Sequence, residues 1–117
     1  MYRIAVLTNS RAQEAFLAEQ ISRFCAEHCL FPKMDCYHDQ ESFFEAARCE
    51  PLTNAVIALP GVDGLNAVEH LRALCPQTRV IWCSDLDFSL HAFRLRADYF
   101  LLEPVTEAAL RQGFRIW

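Results

Sequence analysis

The sequence predicts an α/β fold, a three-layer sandwich in which helices cover both faces of a doubly wound, five-stranded parallel sheet. Five short apolar segments alternate with segments whose apolar residues recur at three- and four-residue spacing. Parallel neighbouring strands need crossover connections, which helices of this length supply. At 117 residues and 53% hydrophobic content, the chain can form one core, so residues 1–117 are predicted to be a single domain.

In the first β–α unit, an apolar run is followed by polar residues and then by apolar residues at helical spacing. Residues 3–7 (RIAVL) form an apolar run typical of a buried strand, and the polar residues 8–10 end it. Ser10 and Gln13 resemble a capping box, in which each residue satisfies a backbone N–H at the helix start. The apolar spacing that follows predicts a first helix that continues to about Cys29.

The second unit is weaker because its strand is short and mixed in polarity. Pro32 blocks any extension of the first helix, and residues 34–37 then predict a strand. Asp39 follows immediately, where its carboxylate can cap a helix. That second helix carries Phe43 and Phe44 on its apolar face.

The remaining units repeat the same order of strand, polar stop and helix. Residues 54–59 (NAVIAL), 79–83 (RVIWC) and 99–102 (YFLL) predict three further strands. The helices are predicted at residues 63–74, around Leu90, Phe93 and Arg94, and around Ala109, Leu110, Phe114 and Trp117. In such a sheet, ligands bind at the carboxyl ends of the strands.

Composition excludes several classes of function. The net charge is −4, with a pI near 5.5, and the arginines are scattered, so direct binding to nucleic acid is not expected. No apolar run reaches the roughly 18 residues that a membrane span requires, and the N-terminal residues lack a signal-peptide pattern. We therefore expect a cytoplasmic protein that does not contact membranes.

The six cysteines lie within apolar, periodic segments and are predicted to be reduced thiols that pack in or near the core. Cys25, His28 and Cys29 share one predicted helix, and the two cysteines share one face of it. A zinc site needs further ligands, and no second half of a zinc motif is present elsewhere. The sequence therefore predicts no metal site and no cofactor.

Two motifs, together with the order of elements, resemble the receiver domain of response regulators. They are LPGVDG at residues 59–64 and RADYFLLEPV at residues 96–105. The likeness is closest to receivers that precede LytTR-type DNA-binding domains, and residues 88–100 (FSLHAFRLRADYF) resemble their fourth helix and fifth strand. The resemblance implies a CheY-like, flavodoxin-like fold with strand order 2-1-3-4-5.

The residues that carry phosphoryl chemistry in that family are absent here. Active receivers hold Mg²⁺ with an acidic pair after the first strand, where this chain has Thr8 and Asn9. The phosphoacceptor aspartate corresponds to Val56, which has no nucleophilic oxygen. The conserved lysine of the family corresponds to Glu103, and only the Ser/Thr switch position keeps its residue type, as Ser84. The resemblance thus implies a degenerate pocket and a protein that is not an enzyme.

The expected function is that of a phosphorylation-independent pseudo-receiver, a module for dimerisation or protein interaction in transcriptional control. The resemblance implies a homodimer, or a complex with a protein partner, through helix four, strand five and helix five. Phe100 corresponds to the aromatic switch position. The predicted interaction face comprises Phe88, Leu90, His91, Arg94, Arg96, Asp98, Glu107 and Arg111. The domain is also expected to be the N-terminal part of a longer regulator.

Two alternatives remain open. The same architecture could serve a flavodoxin-like enzyme or small-ligand binder, although residues 8–13 (TNSRAQ) lack the glycine that phosphate-binding loops commonly use. An active receiver with an atypical acceptor, such as Ser84, is the second alternative.

Overall fold

The computed structural model describes residues 3–115 and Trp117, and within them five strands alternate with five helices. The strands all run parallel in the order β2-β1-β3-β4-β5. In chain order the elements are β1 (Arg3–Thr8), α1 (Arg11–Glu27), β2 (Lys33–Tyr37), α2 (Gln40–Cys49), β3 (Asn54–Ala58), α3 (Gly61–Leu74), β4 (Arg79–Ser84), α4 (Ser89–Arg94), β5 (Tyr99–Leu102) and α5 (Glu107–Phe114). The predicted fold class and strand order are confirmed.

The two faces of the sheet bury separate apolar clusters. On one face α1 and α5 cover a cluster that includes Leu17, Ile21 and Phe114. On the other face α2, α3 and α4 cover a cluster around Phe43 and Trp82. Because both faces are covered, β1 and β3 are buried along their whole length, which explains why they appear in the sequence as unbroken apolar runs.

The predicted capping residues are found where the sequence places them. Ser10 accepts a hydrogen bond from the Gln13 backbone N–H at 3.3 Å, and Asp39 accepts one from Ser42 at 2.8 Å. The capping box at α1 is only half formed, because the Gln13 side chain does not return to the Ser10 N–H. That side chain turns instead toward the carboxyl ends of the strands.

The LPGVDG motif forms a close junction between β3 and α3. A Cβ atom at Gly64 would lie 2.5 Å from the Leu59 carbonyl oxygen and 3.2 Å from Trp82 Nε1, so only glycine fits there. Gly61 has a φ of +59°, and α3 begins at this residue, two residues before the predicted start. The motif thus brings α3 directly onto the sheet.

No helix in residues 3–115 combines the length and the apolar character that crossing a bilayer would require.

Candidate functional site

A cavity of about 790 Å³ opens where the carboxyl ends of β1, β3, β4 and β5 meet. Its walls come from the four loops that follow these strands and from the first turns of α1. The lining residues are Asn9, Ser10, Ala12, Gln13, Phe16, Pro60, Asp85, Glu103, Pro104 and Val105. This is the location that the doubly wound topology predicts for a ligand site.

A chain of hydrogen bonds crosses one side of this cavity. The Ser10 backbone N–H donates to Thr8 Oγ1 at 3.3 Å, and the Thr8 hydroxyl donates to Gln13 Oε1 at 2.9 Å. Gln13 Nε2 then donates to Glu103 Oε1, also at 2.9 Å. Thr8 is fully buried and Glu103 is exposed, so the chain of bonds connects the buried end of β1 to the exposed edge of the cavity. We call it the Thr8–Gln13–Glu103 relay.

Gln13 is one of the lining residues that the sequence interpretation left out of the site. Its spacing from Ser10 satisfies the capping-box pattern, and that local explanation concealed a tertiary role. Glu103 lies 90 residues further along the chain, so only the folded sheet brings the two side chains together. The amide must present its oxygen to Thr8, because the reverse orientation would place two acceptors, Gln13 Oε1 and Glu103 Oε1, against each other.

The structure places Val56 inside the sheet, level with Val6 and Ile81 and fully buried. Ala58, two residues later on the same face, ends β3 and lies level with Thr8. Val56, the predicted acceptor position, thus lies two residues before the end of β3. Neither side chain carries a nucleophilic atom, so this face of β3 has no phosphoacceptor at its carboxyl end.

Ser84 ends β4 and is fully buried. Its Oγ accepts a hydrogen bond from the Leu86 N–H at 3.1 Å, and its carbonyl oxygen accepts one from the Glu103 N–H at 2.8 Å. The hydroxyl therefore stabilises the turn after β4. Asn9 follows β1, is exposed and lines the cavity.

Asp85 connects two of the loops around the cavity. Its Oδ1 accepts a hydrogen bond from the Gly61 N–H at 2.8 Å, which connects the loop after β4 to the start of α3. Asp87 Oδ1 accepts a hydrogen bond from the Ser89 N–H at 3.0 Å, which forms a local turn just before α4 and does not cap the helix. Hydrogen bonds from Ser89 hold the pKa of the Asp87 carboxyl below its usual range.

The thiol nearest the floor of the cavity is not activated. Cys83 lies level with Ala58 and is buried, and its burial, together with the Glu103 charge, raises the pKa of the thiol to about 12. A thiol with this pKa stays protonated near neutral pH and is a poor nucleophile. Within residues 3–115 and Trp117, no group of three or more His, Cys, Asp or Glu side chains could hold a metal ion. Of the two cysteines that share a face of the predicted first helix, Cys25 is buried and Cys29 is exposed.

Phe100, at the predicted switch position, is partly buried. Its ring packs edge-on against Trp82 with centroids 5.3 Å apart, while Phe88 stacks on Trp82 at 5.4 Å. These three rings form one aromatic group between the sheet and α4. Such a packed arrangement holds Phe100 in a defined position.

The residues of the predicted interaction face do not all belong to one free surface. Leu90, His91, Arg94 and Arg96 are exposed on or just after α4. Glu107 and Arg111, in contrast, form ion pairs with α1: Glu107 with Arg23 at 3.0 Å and Arg111 with Glu27 at 3.0 Å. Asp98 accepts a hydrogen bond from the Val80 N–H at 2.6 Å. Half of the predicted face is therefore exposed around α4, and the α5 charges are engaged within the chain.

Several large apolar side chains are exposed on the side of the molecule formed by α4 and β5. Phe93 is 82% exposed, Leu90 60% and Leu102 50%. Leu102 lies on the same face of the edge strand β5 as Phe100, the face that α4 covers. We call Leu90, Phe93 and Leu102 the α4–β5 apolar patch. The sequence interpretation included only Leu90 of these three in the interaction face.

No family model matches this chain, and no curated protein sequence matches it. Solved structures do match. A CheY-like receiver domain from Methylobacillus flagellatus is 19% identical, with a TM-score of 0.77 and coverage of 99% of this chain and 98% of that one. The response regulator TrrA from Thermotoga maritima, solved with Mg²⁺ and a beryllium fluoride, is 16% identical, with a TM-score of 0.77 and coverage of 99% and 98%.

The response regulator DrrB from Thermotoga maritima adds information on length. It is 20% identical, with a TM-score of 0.74, and the match covers 94% of this chain but 49% of DrrB. This chain thus spans about half the length of that regulator. These matches show that the chain has the fold of the CheY-like receiver domains of response regulators.

Proposed function

We propose that this chain is a pseudo-receiver, a regulatory module with the receiver fold that works by binding and without phosphorylation. The observation that carries the proposal is the carboxyl end of β3, where Val56 and Ala58 are buried and have only hydrocarbon side chains. Phosphoryl transfer to a receiver needs a carboxylate oxygen there. Neither residue can supply one.

The surrounding side chains support the same proposal. Thr8 takes part in the relay and contributes no carboxylate for a divalent cation. Glu103 places a negative charge where the resembling receivers carry a lysine, and this charge would repel an incoming phosphoryl group. Ser84, the alternative acceptor, is fully buried and its Oγ is bonded to the Leu86 N–H, which disfavours it as a nucleophile.

Incubation with Mg²⁺ and a small phosphodonor, followed by intact mass measurement, tests this proposal. The expected result is no stable gain of a phosphoryl unit, while a receiver that retains its acidic pair, aspartate and lysine gains one in the same mixture. A stoichiometric gain of one phosphoryl unit would refute the proposal. The same measurement on Ser84→Ala would then show whether the Ser84 hydroxyl is the acceptor.

The output of the module is proposed to be association, with a second copy or with another regulatory protein, through α4 and β5. The α4–β5 apolar patch supports this, because large exposed apolar side chains close together are typical of interaction sites. The ion pairs of Glu107 and Arg111 with α1 indicate that α5 contributes less than the resemblance implies. A role in transcriptional control, within a longer regulator, completes the proposal.

A further inference from the structure

The cavity at the carboxyl ends of the strands has acidic side chains and no basic ones. Asp85 and Glu103 line it, and no Lys, Arg or His among the described residues does. Each carboxylate uses one oxygen in a hydrogen bond, Asp85 with the Gly61 N–H and Glu103 with Gln13 Nε2. The second oxygen of each has no partner among residues 3–115 and Trp117. The cavity is thus lined by two carboxylates that each keep one oxygen without a partner in that part of the chain, which we call the open oxygens, and their negative charge disfavours anions.

The rest of the wall is largely apolar, which indicates the kind of cation that fits. Phe16, Pro60 and Val105 contribute hydrocarbon and one aromatic ring. A hard divalent cation needs six or more oxygen ligands and gains nothing from hydrocarbon. A guanidinium ion donates N–H groups to carboxylates, is weakly hydrated and packs on aromatic faces. A volume of about 790 Å³ also lies within the range of small-ligand pockets.

We propose that this cavity binds a guanidinium group, held by the open oxygens of Asp85 and Glu103 and packed against Phe16. The inference extends the proposed function, because it gives the pocket a ligand of opposite charge to a phosphoryl group. Gln13 is the positioning residue, since its amide holds Glu103 in place. The bound group would join the loop after β4 to the loop after β5, and the first of these loops leads into α4.

Chemical-shift titration of the ¹⁵N-labelled chain with methylguanidinium chloride tests the proposal, with methylurea as the neutral planar control at constant ionic strength. Saturable shifts at the amides of Gln13, Asp85 and Glu103 are expected with methylguanidinium only. Glu103→Gln and Asp85→Asn should each weaken binding by about tenfold, since each removes a charge-assisted hydrogen bond. Glu69→Gln removes an exposed carboxylate from α3, away from the cavity, and should change affinity by less than about twofold.

The source of the guanidinium is resolved by a second pair of probes. Tighter binding of agmatine than of N-acetylarginine amide identifies a free small molecule as the ligand, and the reverse order identifies an arginine side chain of a partner. The proposal would be overturned if methylurea produced equal shifts, or if the shifts did not saturate. It would also be overturned if neither Glu103→Gln nor Asp85→Asn weakened binding. So would Mg²⁺ alone producing the same shifts at lower concentration.

The two proposals fail separately. A phosphoryl gain in the intact mass would overturn the pseudo-receiver assignment whatever the titration shows. If methylguanidinium does not bind and the phosphodonor leaves the intact mass unchanged, only the proposed ligand is overturned and the pseudo-receiver proposal is not. Gln13→Ala, made alone and in a Glu103→Ala background, separates positioning from direct contact: the affinity should fall in the single variant but fall no further in the background that lacks Glu103, and a further fall there would overturn the positioning role.

Discussion

The helices on either side of β5 are attached to the molecule in different ways. The longer one, α5, has eight residues, is capped by Thr106 and buries Leu110, Gly113 and Phe114. The shorter one, α4, has six residues, lacks a side-chain cap and buries only Ala92. Phe114 is 1% exposed and Phe93 is 82% exposed. A phenylalanine is thus buried in the core on α5 and exposed to solvent on α4.

This difference separates a structural helix from a surface that is available for binding. On α5, burial is reinforced by contact with α1, where the Phe24 and Phe114 rings lie 4.9 Å apart and charged side chains pair across the helices. On α4, only Ala92 is buried, and Phe88 and Leu95 at the two ends of the helix are partly buried against the same cluster. The phenylalanine on α4 therefore has no folding role comparable to that of Phe114, which favours a role in recognition.

The largest expected effect comes from a matched pair of substitutions, Phe114→Ala and Phe93→Ala. Removing the fully buried ring should lower the free energy of unfolding by about 3–5 kcal/mol through lost burial and cavity formation. Removing the exposed ring should change it by less than about 0.5 kcal/mol. Urea denaturation of both variants measures the difference, and equal losses would refute the comparison.

Arg72 should have the next largest effect because it anchors the end of α4. Its guanidinium donates to the carbonyl oxygens of Thr78 at 2.7 Å, Leu95 at 2.9 Å and Arg96 at 2.9 Å, and it pairs with Asp98 at 3.4 Å. Arg72→Met keeps much of the hydrocarbon and should cost about 2 kcal/mol, since these acceptors lose a charged donor.

Amide hydrogen exchange in the same variant checks where that loss is felt. Protection should fall first in residues 89–96, and Arg72→Lys, which has one charged nitrogen in place of the fork, should recover only part of it. Uniform loss of protection along the chain would argue against a local anchor.

A third effect concerns association and not folding. Phe93→Glu or Leu90→Glu should weaken self-association by about tenfold or more, because a charge replaces an apolar contact at the centre of the proposed interface. Phe31→Glu is the matched control, since Phe31 is 90% exposed but lies between α1 and β2. Analytical ultracentrifugation over a wide concentration range measures the self-association of each variant. A wild-type chain that stays monomeric throughout would exclude the homodimer and leave a different protein as the partner.

The smallest effect should come from the Arg111–Glu27 ion pair, which is exposed and screened by salt. The hydrogen bond from Arg111 lowers the pKa of the Glu27 carboxyl from its ordinary value near 4.5. A carboxyl whose pKa is lowered by folding stabilises the fold above its unfolded pKa and loses that contribution as the pH falls through the folded pKa.

The stability difference between wild type and Arg111→Met should therefore be present at pH 7 and shrink as the pH is lowered below about 4.5. Denaturation at several pH values, at low and high salt, measures it. A difference that grows on acidification would contradict the assignment of the pair.

The fold was predictable because each element has a local signal. Buried strands such as residues 54–58 appear as continuous apolar runs, and Ser10 and Asp39 mark helix starts by side-chain chemistry that acts within three residues. The boundaries were less accurate. At the start of α3 the Gly61 N–H donates to Asp85, 24 residues further along the chain, and that contact is tertiary.

The site was only partly predictable, for the same reason. Thr8, Ser84 and Glu103 were named in advance, and the strands bring all three to one end of the sheet, two of them at strand ends. Gln13 was missed because its spacing from Ser10 already had a local explanation. Phe93 was also left out of the interaction face, since periodicity places a residue on a helix face but does not say what covers that face.

By itself, the sequence determined the order of elements, the parallel sheet and the absence of a nucleophilic oxygen at Val56, because these follow from residue type and short-range spacing. Only the tertiary structure decided that Gln13 joins Thr8 to Glu103, that Asp85 lines the same cavity, and that Phe93 on α4 is exposed while Phe114 on α5 is buried. The Gln13–Glu103 and Gly61–Asp85 hydrogen bonds join residues 90 and 24 positions apart, and such contacts form only when the sheet brings distant loops together.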